Sequence, residues 1–291
     1  MPLKNRKQLQ RRRMPKLLTT LITAALLGAL GFTPSCHAEE VGEKEKSLVP
    51  SGYKLVWSDE FSGSGLPDPK KWNYDTRGNK YFWWHNERQY YSAGRPENAR
   101  IEDGHLTIEV RKEGLPGAKD WLGQEYSSAR LMTAKRASWQ YGFFDVRAKL
   151  ACGRGAWPAI WLLSETGQWP RDGEIDIMEQ VGHEPGKIQS TLHSSTKELM
   201  AGSSIIRDTC GSYHNYQLDW RKGGMTFLVD GRPIYVAEKG DRGYDSWPFD
   251  HKFYLILNVA VGGAWGGQKG IDPNAFPSQM DVDYVRVYQS E

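Results

Sequence analysis

Residues 169 to 179 read Trp-Pro-Arg-Asp-Gly-Glu-Ile-Asp-Ile-Met-Glu, and the last six restrict the fold more than any other stretch. Glu174, Asp176 and Glu179 are interleaved with Ile175, Ile177 and Met178. A strand sends successive side chains to opposite faces, so Glu174 and Asp176 share one face. Glu179 has the wrong parity for a regular strand. One extra residue, a β-bulge near Ile177-Met178, returns it to the acidic face. A helix separates Glu174 and Glu179 in angle, and the β-branched residues favour a strand. Three acids on one face repel, which a chain tolerates where the acids are used. Two carboxyls can flank a glycosidic bond, one attacking and one protonating. With the bulge, the Cα atoms of Glu174 and Glu179 lie roughly 13 Å apart along the strand. Inward-leaning side chains reduce that gap to the ~5 Å that a retaining mechanism needs. Asp176 between them would hydrogen-bond the nucleophile and raise the pKa of the acid partner. A strand with a solvated acidic face is the alternative reading of the local pattern.

The chain ahead of this stretch divides in two. Within Met1–Ala38, Lys4, Arg6, Lys7, Arg11, Arg12, Arg13 and Lys16 form a basic segment, Leu17–Phe32 is apolar, and Cys36-His37-Ala38 offers small residues for cleavage. This reads as a secretory signal, with a secreted or periplasmic product. The apolar run is short for a membrane span. Met14 as the start, or a lipid anchor at Cys36, are variants of the same reading. Removing those seven basic residues, with no acid among them, takes the formal charge from +3 to −4. The basic character belongs to the signal, and the mature chain carries no nucleic-acid footprint. A polar linker, 39–51, leads into a single domain, 52–291, long enough for a sizeable core. Cleavage leaves two cysteines, Cys152 and Cys210, both in Gly-containing loop sequence. An oxidising compartment favours their pairing, the alternative being two independent buried thiols.

Short strand patterns fill the domain and helical periodicity is nearly absent. They fall at 54–57, 105–112, 142–150, 157–163, 174–181, 188–194, 216–220, 225–229, 234–237, 253–261 and 282–289, with Asp230-Gly231 as a hairpin turn. Many short strands with Gly and Pro between them imply a sandwich or barrel. Tryptophan is over-used, with 12 residues, and many of them sit beside Gly, Pro or polar residues. Aromatic rings can stack on sugar faces, while core packing is the competing use of each ring. HExxH, CxxC, Walker A and GxSxG patterns are missing, and the His residues are scattered, which disfavours a His-built metal site.

The chain resembles glycoside hydrolase family 16, and within it the bacterial laminarinases, from about Tyr53 to Gln289. The run Glu174-Ile175-Asp176-Ile177-Met178-Glu179 looks like that family's bulged active-site strand. Gly155–Leu163, Ser190–His193, Asn258–Gly267 and Met280–Tyr288 extend the likeness. The resemblance implies an all-β jelly-roll sandwich of two antiparallel sheets with a concave sugar cleft. It implies an endo-acting retaining β-glucanase acting on β-1,3-glucan, as a monomer without a catalytic cofactor. By position, Glu174 would be the nucleophile, Glu179 the acid/base and Asp176 the residue that holds and tunes Glu174. Asn86 and Arg130 match sugar contacts on the non-reducing side. Trp157, Trp161 and Trp169 would form cleft walls, with His193 near the acid/base and Trp265 and Gln279 at the rim. A structural calcium would use Glu60, the Gly104 carbonyl and Asp283, stapling the two chain ends; plain surface acids are the alternative. Ser194-Ser195 and Gln180 depart from the family pattern. A mixed-linkage β-1,3-1,4-glucanase and a non-catalytic β-glucan-binding protein on the same fold are the rivals. The former usually lacks the bulge, and the latter typically lacks one or both glutamates.

Overall fold

The structure is a computed structural model that describes residues 48–196 and 200–290, which fall within one compact unit, Lys46–Glu291. The expected signal and most of the expected linker lie outside the described residues. Strands dominate because apolar residues alternate with polar ones between Gly-rich turns. In chain order they are β1 (Tyr53–Asp59), β2 (Asn73–Tyr74), β3 (Gln89–Tyr91), β4 (Ala99–Glu102), β5 (His105–Val110) and β6 (Tyr126–Ser128). Then come β7 (Arg130–Met132), β8 (Gly142–Lys149), β9 (Ala156–Ser164), β10 (Glu174–Glu179), β11 (Lys187–His193) and β12 (Met200–Ile205). The series closes with β13 (His214–Arg221), β14 (Gly224–Val229), β15 (Arg232–Glu238), β16 (Phe253–Val261) and β17 (Ser278–Ser290).

The strands form two antiparallel sheets. The back sheet runs β15-β14-β13-β8-β17-β5-β4, with β1 also paired to β17 from Tyr53 opposite Ser290. The front sheet runs β12-β11-β10-β9-β16-β7-β2. A short parallel pair, β3 and β6, stands apart from both. Alternation decides what goes between the sheets. In β8, Phe144, Val146 and Ala148 are fully buried, and in β16 so are Phe253, Leu255, Leu257, Val259 and Val261. Trp220 of β13 packs edge-on to Phe253 across the core, with ring centroids 5.4 Å apart. This is the all-β, two-sheet sandwich that the sequence pattern and the resemblance imply. At the β14–β15 hairpin, Asp230 and Gly231 both adopt positive φ, 51° and 72°, as a two-residue primed turn requires.

Cysteines 152 and 210 form a disulfide, with Cα atoms 5.8 Å apart at a sequence separation of 58. The independent-thiol alternative is set aside. Among the described residues, no helix is long and apolar enough to cross a membrane.

Candidate active site

The front sheet is organised by one irregularity. Between β9 and β10 the register runs Glu174 opposite Leu163, Asp176 opposite Trp161, then Met178 opposite Ile160 and Glu179 opposite Ala159. Between β10 and β11, the four residues from Asp176 to Glu179 face the three from Thr191 to Gln189. That is a β-bulge at Ile177-Met178, where the parity argument requires it. Ile177 and Met178 are both buried in the core, so Glu179 turns back to the face of Glu174 and Asp176. The Ser190 hydroxyl donates to the Ile177 carbonyl at 2.8 Å, giving that distorted backbone a partner.

Residues paired across strands share a face, so the register lays out the cleft floor in rows. Tyr254, Leu163, Glu174 and His193 form one row. Ile256, Trp161, Asp176 and Thr191 form the next. Arg130, Asn258, Ala159, Glu179 and Gln189 form the third. Asp176 therefore sits amid two glutamates with Trp161 on one side and Thr191 on the other.

The electrostatics follow from crowding acids in a poorly solvated floor. Burial, and then the charge of Asp176, push Glu174 up to about 8. Burial raises Asp176 to about 7, and the two carboxyls share a hydrogen bond. Glu179 is raised well above the usual carboxyl range by burial and then by the charges of Asp176 and Glu174. The Trp157 indole donates to Glu179 Oε1 at 3.0 Å. His193 Nε2 lies 3.0 Å from Asp176 Oδ2 and 4.0 Å from Glu174 Oε1, and its charge also acts on Glu179. All three carboxyls are thus held above their ordinary range, and Glu174 and Asp176 are joined by a hydrogen bond. A group to be attacked and a group to be protonated can both be served from one face.

On the β7 side of the floor the aromatics are fixed by polar partners. The Arg130 guanidinium lies between the rings of Trp83 and Trp161, 4.5 Å from each centroid. Arg130 Nε is 3.4 Å from Asp75 Oδ2. Burial pushes Asp75 up, but Arg77 and Arg130 outweigh it and hold the carboxyl below its ordinary pKa. Trp161 Nε1 donates to Asn258 Oδ1 at 2.7 Å, and Asn258 Nδ2 donates to the Tyr91 hydroxyl at 3.0 Å. Trp265 stands edge-on to Trp157, ring centroids 5.4 Å apart. Asn86 is exposed at positive φ in the turn before β3. Trp169 is 58% exposed and its ring lies 6.4 Å from the His193 ring.

Asp75, Trp83, Tyr91 and Asn258 are absent from the sequence-derived site. Asn258 had a signal: it is a polar residue inside the nine-residue run Phe253–Val261. The others act through tertiary packing that local pattern does not encode.

Gln279 is a correction. It lies on β17 in the back sheet, opposite Glu109 of β5, and its amide donates to Asp281 Oδ1 at 2.8 Å. Its neighbours Met280 and Val282 fill the core, so parity turns Gln279 outward from the back sheet rather than toward the cleft. Gln180, a departure from the family pattern, also points away from the acids. It is fully buried and accepts from Gly186 N and Thr209 Oγ1, both at 2.7 Å, beside the disulfide.

The calcium expectation meets arginines. Arg286 donates to both oxygens of Glu60, at 3.0 and 2.7 Å, and lowers its pKa. Arg147 is ion-paired with Asp283. Gly104 serves the turn between β4 and β5 at φ 78°. With a guanidinium on each carboxylate, this donor set does not fit a calcium ion. The staple between the early and terminal strands is the Glu60–Arg286 pair. Glu174, Asp176 and His193 bring ligand atoms within 4.8 Å of one another, but these are the groups of the acid cluster itself.

Two glutamates and an aspartate on a bulged strand, on the exposed face of an antiparallel sandwich, define a glycoside hydrolase. The chain belongs to that class through one family: the profile of "Glycosyl hydrolases family 16" matches residues 86–286. It is 43% identical to the beta-glucanase of Rhodothermus marinus over 305 positions, covering 99% of this chain and 98% of that one. The fold matches SCLam, a non-specific endo-β-1,3(4)-glucanase, with a TM-score of 0.81 and 53% identity, covering 84% of this chain and 93% of that one. The laminarinase from Rhodothermus marinus matches with a TM-score of 0.77 and 43% identity, covering 81% and 97%.

Proposed function

We propose that this protein is an endo-acting retaining β-glucanase that hydrolyses β-1,3-glucosidic bonds in laminarin-type glucans. The observation that carries the reading is the bulge in β10, which puts Glu174, Asp176 and Glu179 on one face. In the first step a Glu174 oxygen attacks the anomeric carbon. Glu179 gives its proton to the departing glycosidic oxygen. Asp176, hydrogen-bonded to Glu174, takes up the shared proton as the Glu174 oxygen attacks. In the second step Glu179, now a carboxylate, takes a proton from water as that water attacks the same carbon. The Glu174 ester breaks, and two inversions retain configuration. No step needs a metal. Arg130, Trp161 and Asn86 serve the non-reducing part of the chain, and Trp157, Trp169 and Trp265 wall the cleft.

A second reading has a specific observation behind it. SCLam, 53% identical, is a non-specific endo-β-1,3(4)-glucanase, so mixed-linkage glucan is a second substrate class to test. Reducing-sugar release from laminarin, barley β-glucan and agarose, with product sizes, separates the cases. Release of oligosaccharides from laminarin is expected, and failure on every glucan overturns the reading. The N-terminal signal pattern supports export to the periplasm or medium, with residues 52–291 as the acting domain. The domain is read as a monomer, and a mass of two chains by light scattering would refute that.

A further inference from the structure

The loop between β9 and β10 contains a carboxylate that the reaction does not use. Asp172 is almost wholly buried and both its oxygens are occupied. Thr166 Oγ1 donates to Oδ2 at 2.6 Å and the Gln168 amide to the same oxygen at 3.2 Å. Arg171 Nε donates to Oδ1 at 2.9 Å and the Tyr244 hydroxyl at 3.0 Å. The hydrogen bond from Arg171, and then that from Thr166, hold the carboxyl well below its ordinary pKa, so it is ionised throughout the working range. The Asp172 amide donates to the Gln168 carbonyl at 2.8 Å, closing residues 168–172 into a tight turn. Ser164, Thr166 and His251 extend the network, with Ser164 Oγ 2.7 Å from both Thr166 Oγ1 and His251 Nε2. Asp172 therefore ties the turn to the segment before β16.

What that turn presents is Trp169. Its ring projects into solvent and stands by His193, on the side of β10 opposite Arg130 and Trp161. Among the described residues the ring makes no hydrogen bond, and the hydrogen-bonded turn sets its place beside His193. We propose that Asp172 is a positioning residue that holds Trp169 beside His193 as the wall for the reducing-end part of the glucan. This rests on the glucanase reading for the direction of the bound chain. Asp172 touches no reacting atom. Its effect is on how well the polysaccharide is gripped, since a wall made by a fixed ring requires no ordering when substrate arrives.

The test is a double-mutant cycle on laminarin with Asp172→Asn and Trp169→Ala. Asp172→Asn keeps the shape but replaces an ionised oxygen, an acceptor of two hydrogen bonds, with an amide. In the wild-type background it should raise KM five- to tenfold and leave kcat within threefold. In the Trp169→Ala background it should change KM less than twofold, because the ring it positions is gone. Equal KM effects in both backgrounds, or a fall in kcat with KM unmoved, would overturn the proposal. If Asp172→Asn fails to fold, Thr166→Val removes one donor and should show the same coupling at two- to threefold; additivity there refutes it as well. Wild-type protein inert on laminarin and barley β-glucan would instead sink the glucanase reading, an outcome separate from any result of the cycle.

Discussion

At the scale of single residues, the site works through unequal proton affinities among three crowded carboxyls. Glu179→Gln removes the proton donor and should lower laminarin turnover on the order of 10²–10⁴-fold. Glu174→Gln should cost at least as much, with the circular dichroism of each variant unchanged. Asp176→Asn tests the electrostatics. Its charge raises both Glu174 and Glu179, so neutralising it lets both lose protons more easily. Both limbs of the pH–activity profile should then move to lower pH, and an unmoved alkaline limb would contradict the account. The same shifts bear on stability. An unfolded Glu titrates near ~4.3, whereas folded Glu174 holds its proton to about 8. Between those values the folded state binds more protons, so this group's contribution falls as pH rises. Glu174→Gln abolishes the loss. Its melting temperature should gain on wild type as pH goes from 5 to 8, by thermal denaturation followed at several pH values.

At the scale of elements, the bulge is what a regular strand would lose. Ser190→Ala leaves the Ile177 carbonyl without its buried donor, at a cost of about 1–3 kcal/mol in chemical denaturation. Activity should fall more than stability alone explains, because Glu179 depends on that geometry. This distortion was legible from the sequence: three acids with one parity error admit few other solutions in a strand. So were the long strands, where Phe144, Val146 and Ala148 alternate with Asp145, Arg147 and Lys149. The short strands were not. β2, β3, β6 and β7 have two or three residues each, too few to show a period, and β12 reads Met-Ala-Gly-Ser-Ser-Ile without alternation. The contacts around Arg130 were half legible. Its side chain is placed by Trp83, Trp161 and Asp75, which the chain brings from three separate segments. Gln279 was misassigned because likeness of sequence near a chain end says little about which sheet a side chain leaves.

At the scale of the molecule, one covalent link and one shape matter. The Cys152–Cys210 bridge closes a loop with a sequence separation of 58 that includes β9, β10 and β11. Chain-entropy arguments put its worth at about 4 kcal/mol. The paired Cys152→Ser, Cys210→Ser variant should lose roughly that much in denaturant titration while still cleaving glucan at room temperature. Unchanged stability would show that the loop is already constrained without it. The adjacency of Tyr53 and Ser290 has a practical side. Both lie in the back sheet, on the paired strands β1 and β17, whereas the acids lie in the front sheet. The domain is thereby suited to life as a cassette. It can be spliced into a larger polypeptide, or its termini joined by a short peptide into a ring, without anything being laid across the groove where polysaccharide would thread.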